Sequence, residues 1–83
     1  PEIRIECPDD RKFEVVEKIR DHFASKYDVI DIDGVRVQFE DGWGLVRASN
    51  TQPVLVLRFE SKTEEGLLVI RTVVEGVLKD VMC

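Results

Sequence analysis

Apolar and polar residues alternate through Ile3-Arg4-Ile5-Glu6-Cys7, the period-two signature of a strand with one buried face, and Pro8 stops the run. Asp9 or Asp10 then stands where a helix N-cap belongs. Phe13, Val16, Ile19, Arg20 and Phe23 follow at three- and four-residue steps. This spacing predicts a helix over about 10–25 that turns Phe13, Val16, Ile19 and Phe23 to a core and leaves Lys12, Glu14, Glu17, Lys18 and Asp21 to solvent. Val29-Ile30-Asp31-Ile32 and Val35-Arg36-Val37-Gln38-Phe39 flank Asp33-Gly34, a dipeptide that readily supplies positive φ, so a hairpin with a two-residue turn is expected there.

A second turn signal, Asp41-Gly42, leads into Trp43-Gly44-Leu45-Val46. A polar stretch from Arg47 to Pro53 separates this run from Val54-Leu55-Val56-Leu57-Arg58-Phe59-Glu60. The last run is β-prone and apolar on both faces at its start, which assigns it to the interior of a sheet. Thr63 is a sound N-cap, and Glu64 and Glu65 suit the positive end of a helix dipole. Leu67, Ile70, Val74, Val77, Leu78 and Val81 mark an amphipathic helix, weakened by Gly66 and Gly76 at roughly 1 kcal/mol each relative to alanine. The order strand, helix, three or more strands, helix predicts an α+β fold, a mainly antiparallel sheet with two helices packed on one face.

Length and composition narrow the function. Eighty-three residues make one domain with a single core, too small for an active site walled by several lobes. No apolar run approaches the roughly 20 residues that span a bilayer, so no membrane role is expected. The formal charge of −5 repels polyanions, and the twelve basic residues lie scattered along the chain with Arg11-Lys12 as the adjacent pair, which disfavours nucleic acid. Cys7 and Cys83 show no metal-ligand spacing and read as inert thiols in a reducing cytoplasm. His22 lies among charged helix neighbours and reads as a surface residue. Asp31, Asp33 and Asp41 are explained by turns without a metal.

The segment from Arg47 to Pro53 is rich in hydrogen-bonding side chains. If it runs extended, Arg47, Ser49 and Thr51 face one side and present a guanidinium fork and two hydroxyls, with Asn50 and turn amides able to complete a set of donors. A phosphate accepts several hydrogen bonds at once, and arginine grips two of its oxygens in one plane. A polar surface turn explains the same residues equally well. Trp43, beside the segment, can pack or stack on a sugar ring.

Residues 42–60, Gly-Trp-Gly-Leu-Val-Arg-Ala-Ser-Asn-Thr-Gln-Pro-Val-Leu-Val-Leu-Arg-Phe-Glu, resemble the signature of the C-terminal domain of the α-D-phosphohexomutases, in particular the bacterial phosphomannomutase/phosphoglucomutase branch. The resemblance extends over the chain, through Asp33-Gly34-Val35-Arg36-Val37 and Thr63-Glu64-Glu65. It implies a TATA-binding-protein-like fold and a single domain, residues 1–83, of a four-domain isomerase that moves a phosphoryl group between the 1- and 6-positions of a hexose through a bisphosphorylated intermediate. On this resemblance Arg47, Ser49, Asn50 and Thr51 bind the phosphate that is not transferred, and Arg58 supports them electrostatically. The domain itself then holds no catalytic residue and no metal. Mg2+ and glucose 1,6-bisphosphate belong to the full-length enzyme, and the partners are a phosphohexose and the three other domains. The alternative is a stand-alone module that binds protein or nucleic acid through its sheet.

Overall fold

The computed structural model describes residues 2–32 and 34–82, and Asp33 and Cys83, which figure in the reading above, lie outside them. The elements run β1 (Ile3–Glu6), α1 (Lys12–Ala24), β2 (Val29–Ile30), β3 (Val35–Gln38), β4 (Gly42–Ala48), β5 (Val54–Ser61) and α2 (Glu64–Met82). The strands form one sheet in the order β1-β5-β4-β3-β2, antiparallel at every junction. The expected α+β architecture is therefore present, and β5 lies inside the sheet between β1 and β4, as its two-sided apolar run requires.

Both helices cover one face, where strand alternation delivers Val35, Val37, Val46, Ala48, Leu55 and Leu57 to a core with Cys7, Val15, Ile19, Phe23, Ile70, Val74 and Leu78. Gly44 faces the same way, and a Cβ there would stand 3.0 Å from Val74 Cγ2 and 3.4 Å from Ile70 Cγ2. Its missing side chain lets α2 settle onto β4.

The face of α1 differs from the expected one. Val15, Ile19 and Phe23 are buried together with Lys12, Val16 is half-buried, and Phe13 is 55% exposed. Steps of four from Phe23 through Ile19 to Val15 define the stripe, and Lys12 continues it. Phe13 sits about 120° from Ile19 at 100° per residue, outside the covered arc. Nor does Asp9 or Asp10 cap the helix. Arg11 occupies the cap without a side-chain bond, and the Pro8 carbonyl accepts from the Arg11 and Lys12 amides at 3.0 and 2.9 Å.

β2 and β3 pair Val29 with Val37 and Ile30 with Arg36, so the expected hairpin is present, while its Asp33-Gly34 turn includes Asp33, outside the described residues. Gly34 takes φ +104°. In the next hairpin the Phe39 amide donates to the Gly42 carbonyl at 2.8 Å, which centres the turn on Glu40 and Asp41. Gly42 is excluded from carrying a side chain by Glu60, whose carbonyl oxygen occupies the place of a Cβ.

Helix α2 begins as expected, with Thr63 Oγ1 accepting from the Gly66 amide at 2.9 Å. The two glycines of α2 are not equivalent. A Cβ on Gly66 would press on Ser61 Oγ and stand 3.0 Å from Thr63 Oγ1, whereas a Cβ on Gly76 meets nothing within 4 Å. Gly76→Ala is therefore expected to stabilise the chain by about 0.5–1 kcal/mol, and Gly66→Ala to give no such gain. Chemical denaturation of the two variants beside the parent chain checks the difference.

Candidate functional site: the loop between β4 and β5

Strand β4 ends at Ala48, and the chain bends through residues 49–53 before β5 begins at Val54. Of the two arrangements weighed for this segment the turn is present: the extended run stops after Ala48, where Ser49 folds the chain back on itself. Its Oγ accepts from the amides of Thr51 and Gln52 at 3.3 and 3.2 Å, and its own amide donates to the Val54 carbonyl at 3.1 Å. A serine closing such a turn uses its hydroxyl as acceptor, so its O–H remains available as a donor. At the exit, the Val54 amide donates to the Gln52 carbonyl at 2.8 Å across Pro53. Proline's fixed φ suits the centre of this three-residue turn.

Asn50, Thr51, Gln52 and Pro53 are exposed, Ser49 is half-buried, and Arg47 lies one pair before the turn-side end of β4, opposite Val56 of β5. On the other side of β4, Gly34 lies against Arg47, where a Cβ at position 34 would stand 3.1 Å from Arg47 Cβ and 2.8 Å from the Val46 carbonyl oxygen. Gly34, just before β3, thus abuts the strand that carries the arginine. Ser49 is the organiser of the loop, Arg47 stands at its entrance, and Asn50 and Thr51 form its exposed rim.

The sheet face away from the helices carries charge that the linear order of the chain hides. Alternation sets Arg4, Val56 and Arg47 in one cross-strand row and Arg58, Leu45 and Arg36 in the next. Four of the twelve basic residues, all arginines, therefore share one open face. Val56 is 4% exposed although no helix covers it. The stems of the arginines on either side account for that burial. Trp43 lies on the same face under the Arg36 guanidinium, whose carbon is 4.4 Å from the ring centroid. Arg36 Nε is buried without a hydrogen-bond partner, and the indole π-face substitutes for one. Arg58 is exposed in this array, one row from Arg47.

The loop is tied down from the other end of the chain. The Cys7 amide donates to the Pro53 carbonyl at 2.8 Å, Arg4 Nη1 donates to Gln52 Oε1 at 3.1 Å, and Lys12 Nζ donates to the Gln52 carbonyl at 3.0 Å. Lys12 is 4% exposed and pairs with Asp9 Oδ1 at 2.8 Å, so the expectation that it faces solvent is overturned. An ammonium is buried only where a carboxylate and a carbonyl replace its water, and both are here. Burial pushes the Cys7 thiol above its ordinary pKa, which leaves it uncharged and a poor nucleophile at neutral pH.

Residues 2–77 match the family described as "Phosphoglucomutase/phosphomannomutase, C-terminal domain". The chain belongs to this family. Among relatives of the domain, a Phosphomannomutase/phosphoglucomutase of Pseudomonas aeruginosa is 52% identical over 82 residues, which cover 98% of this chain and 18% of that protein. A Phosphoglucomutase of Neisseria meningitidis serogroup B is 40% identical over 95% of this chain and 18% of its own length. A solved Phosphoglucomutase/phosphomannomutase family protein from Burkholderia thailandensis superposes with a TM-score of 0.80 at 35% identity, covering 98% of this chain and 17% of that one. The chain thus spans less than a fifth of the relatives it matches.

For this phosphoglucomutase/phosphomannomutase C-terminal domain, the described residues contain no group of three or more His, Cys, Asp or Glu side chains able to hold a metal ion. Asp31 instead faces Arg20 Nη1 at 3.7 Å, and His22 is exposed and meets the Phe23 ring edge-on. No described helix is long and apolar enough to cross a membrane.

Proposed function

We propose that the loop between β4 and β5 is a phosphate clamp and that the domain serves a phosphohexomutase, a cytoplasmic four-domain isomerase that interconverts hexose 1-phosphate and hexose 6-phosphate through a bisphosphorylated intermediate. The observation that carries this reading is the Ser49-closed turn directly after Arg47, in a chain of the phosphoglucomutase/phosphomannomutase family. Arg47 supplies a planar pair of N–H donors, Ser49 its remaining O–H, and Asn50 and Thr51 the donors of the rim. Arg58, one row away on the open face, adds positive potential. No bond is made or broken by these residues. They hold the phosphate that is not being transferred, so that contacts remote from the reacting centre orient the sugar and favour closure of the cleft.

Mg2+ and glucose 1,6-bisphosphate are the cofactors that this reading assigns to the full-length enzyme and not to this domain. The phosphohexose and the three remaining domains are the partners. Relatives of which the chain spans only 18% favour this reading over a stand-alone interaction module.

An amide NMR titration with glucose 1-phosphate, inorganic phosphate and unphosphorylated glucose tests the clamp. Shifts confined to residues 47–52 and produced only by the phosphorylated ligands are expected, at millimolar affinity because one domain makes part of the contacts. Equal shifts with plain glucose, or shifts centred elsewhere on the chain, would overturn it.

A further inference from the structure

The phosphate clamp has an exposed rim and a short turn, and its shape depends on what grips it from outside. Two side chains beyond the loop reach Gln52. Arg4 contacts the side-chain amide oxygen from an exposed position, and that contact can be lost without moving the main chain. Lys12 is different. It is buried, it begins α1, and its ammonium holds the Gln52 main-chain carbonyl at 3.0 Å while Asp9 holds the ammonium at 2.8 Å. The same carbonyl accepts from the Val54 amide at 2.8 Å, and the Gln52 amide donates to Ser49 Oγ at 3.2 Å. Lys12 therefore acts on the residue at which the exit turn around Pro53 and the Ser49 turn join.

We propose that Lys12 is a positioning residue of the anion loop: through the Gln52 carbonyl it fixes the orientation of the turn that presents Ser49, Asn50 and Thr51, without touching the phosphate itself. The inference rests on the phosphate reading for its consequence, but its structural half stands alone. A carbonyl locked by two donors cannot rotate, and the amides of Thr51 and Gln52 on Ser49 Oγ are held in step with it. Preorganised donors bind without having to be ordered by the ligand, and a loosened loop must be ordered at the ligand's expense.

The test uses the full-length protein that carries this chain, with Lys12→Met, Gln52→Ala and Arg47→Ala compared. Methionine keeps the length and apolar stem of Lys12 in its buried site, and the Gln52 carbonyl keeps its Val54 donor, so the fold is expected to persist. Hydrogen exchange of the ligand-free protein, read by mass spectrometry on the peptide spanning 47–54, should quicken about tenfold in Lys12→Met and little in Gln52→Ala. Affinity for glucose 1-phosphate by calorimetry should fall roughly tenfold in Lys12→Met, the scale of one hydrogen bond to a charged group. Lys12→Arg, which restores the charge and a donor, should recover part of both. Unchanged exchange in Lys12→Met would overturn the proposal, as would faster exchange with full affinity while Arg47→Ala loses it. Faster exchange in Lys12→Met with full affinity in Arg47→Ala would keep Lys12 as the anchor of the loop and refute the phosphate reading instead.

Discussion

Replacing Arg47 by alanine in the full-length protein is expected to raise KM for a hexose phosphate by about ten- to a hundredfold, the equivalent of roughly 1.5–3 kcal/mol for a charge-assisted contact. The loss should come without unfolding. The Ser49 turn closes on main-chain amides of Thr51 and Gln52 and on the Val54 carbonyl, none of which needs the Arg47 side chain. Val56 loses the cover of one arginine stem but keeps that of Arg4 on its other side. Arg47→Lys should recover only part of the affinity, because an ammonium keeps the charge and loses the two parallel donors that match a phosphate edge. Steady-state kinetics with the melting temperature measured alongside separates the cases. An unchanged KM and kcat in Arg47→Ala would sink the assignment of the loop, and a KM that rises in step with loss of fold would remove its support.

Truncating Phe23 carries the largest expected cost in stability. Its ring is 1% exposed at the centre of the core, and it meets Phe39 at 6.4 Å and Tyr27 at 5.7 Å between ring centroids. Phe23→Ala should destabilise the chain by about 3–5 kcal/mol, through lost burial and the cavity left behind. That is a large fraction of the roughly 5–15 kcal/mol that holds a small domain together. Phe13→Ala, at a ring 55% exposed on the same helix, should cost well under about 1 kcal/mol. Urea denaturation of the pair measures the contrast. Similar losses from the two truncations would mean that α1 is rotated from the face described.

The contrast between these phenylalanines also marks what could be read from the sequence. Period two in β1, the two-sided apolar run of β5 and the Thr63 cap of α2 were legible because each is a local signal that nothing distant competes with. The face of α1 was not, since Phe13 and Val15 are both apolar and only docking on the sheet chooses between them. Lys12 was misassigned for the same reason: a lysine faces solvent unless a partner far along the chain replaces its water, and Gln52 is 40 residues away. The Asp33-Gly34 signal located the hairpin that β2 and β3 form. For the loop, residue types gave the location, from Arg47 to Pro53, and the family resemblance gave the use proposed for it. Ser49 as the organiser was beyond reach, because an extended strand and a serine-closed turn expose the same side-chain types. The arginine face was in part visible, since Arg4 and Arg36 occupy the polar phase of alternating strands, whereas Arg47 and Arg58 join them through the pairing of β4 and β5. Reading charge along the chain and not across strands concealed it.

The connectivity of the sheet has a consequence for the order in which the domain assembles. Strands β2 to β5 are sequential neighbours and can form as successive hairpins, each closing a short segment of chain. Strand β1 is the exception, for Ile3 pairs with Leu57 across most of the sequence. Closing so long a segment costs more chain entropy and is the step expected to come late. Residues 4, 7 and 12, which grip Gln52 and Pro53, arrive with that step. A folding intermediate that has its hairpins but not its first strand would contain the whole of the Arg47–Pro53 sequence, and yet the loop would lack its outer anchors until the two halves of the chain met.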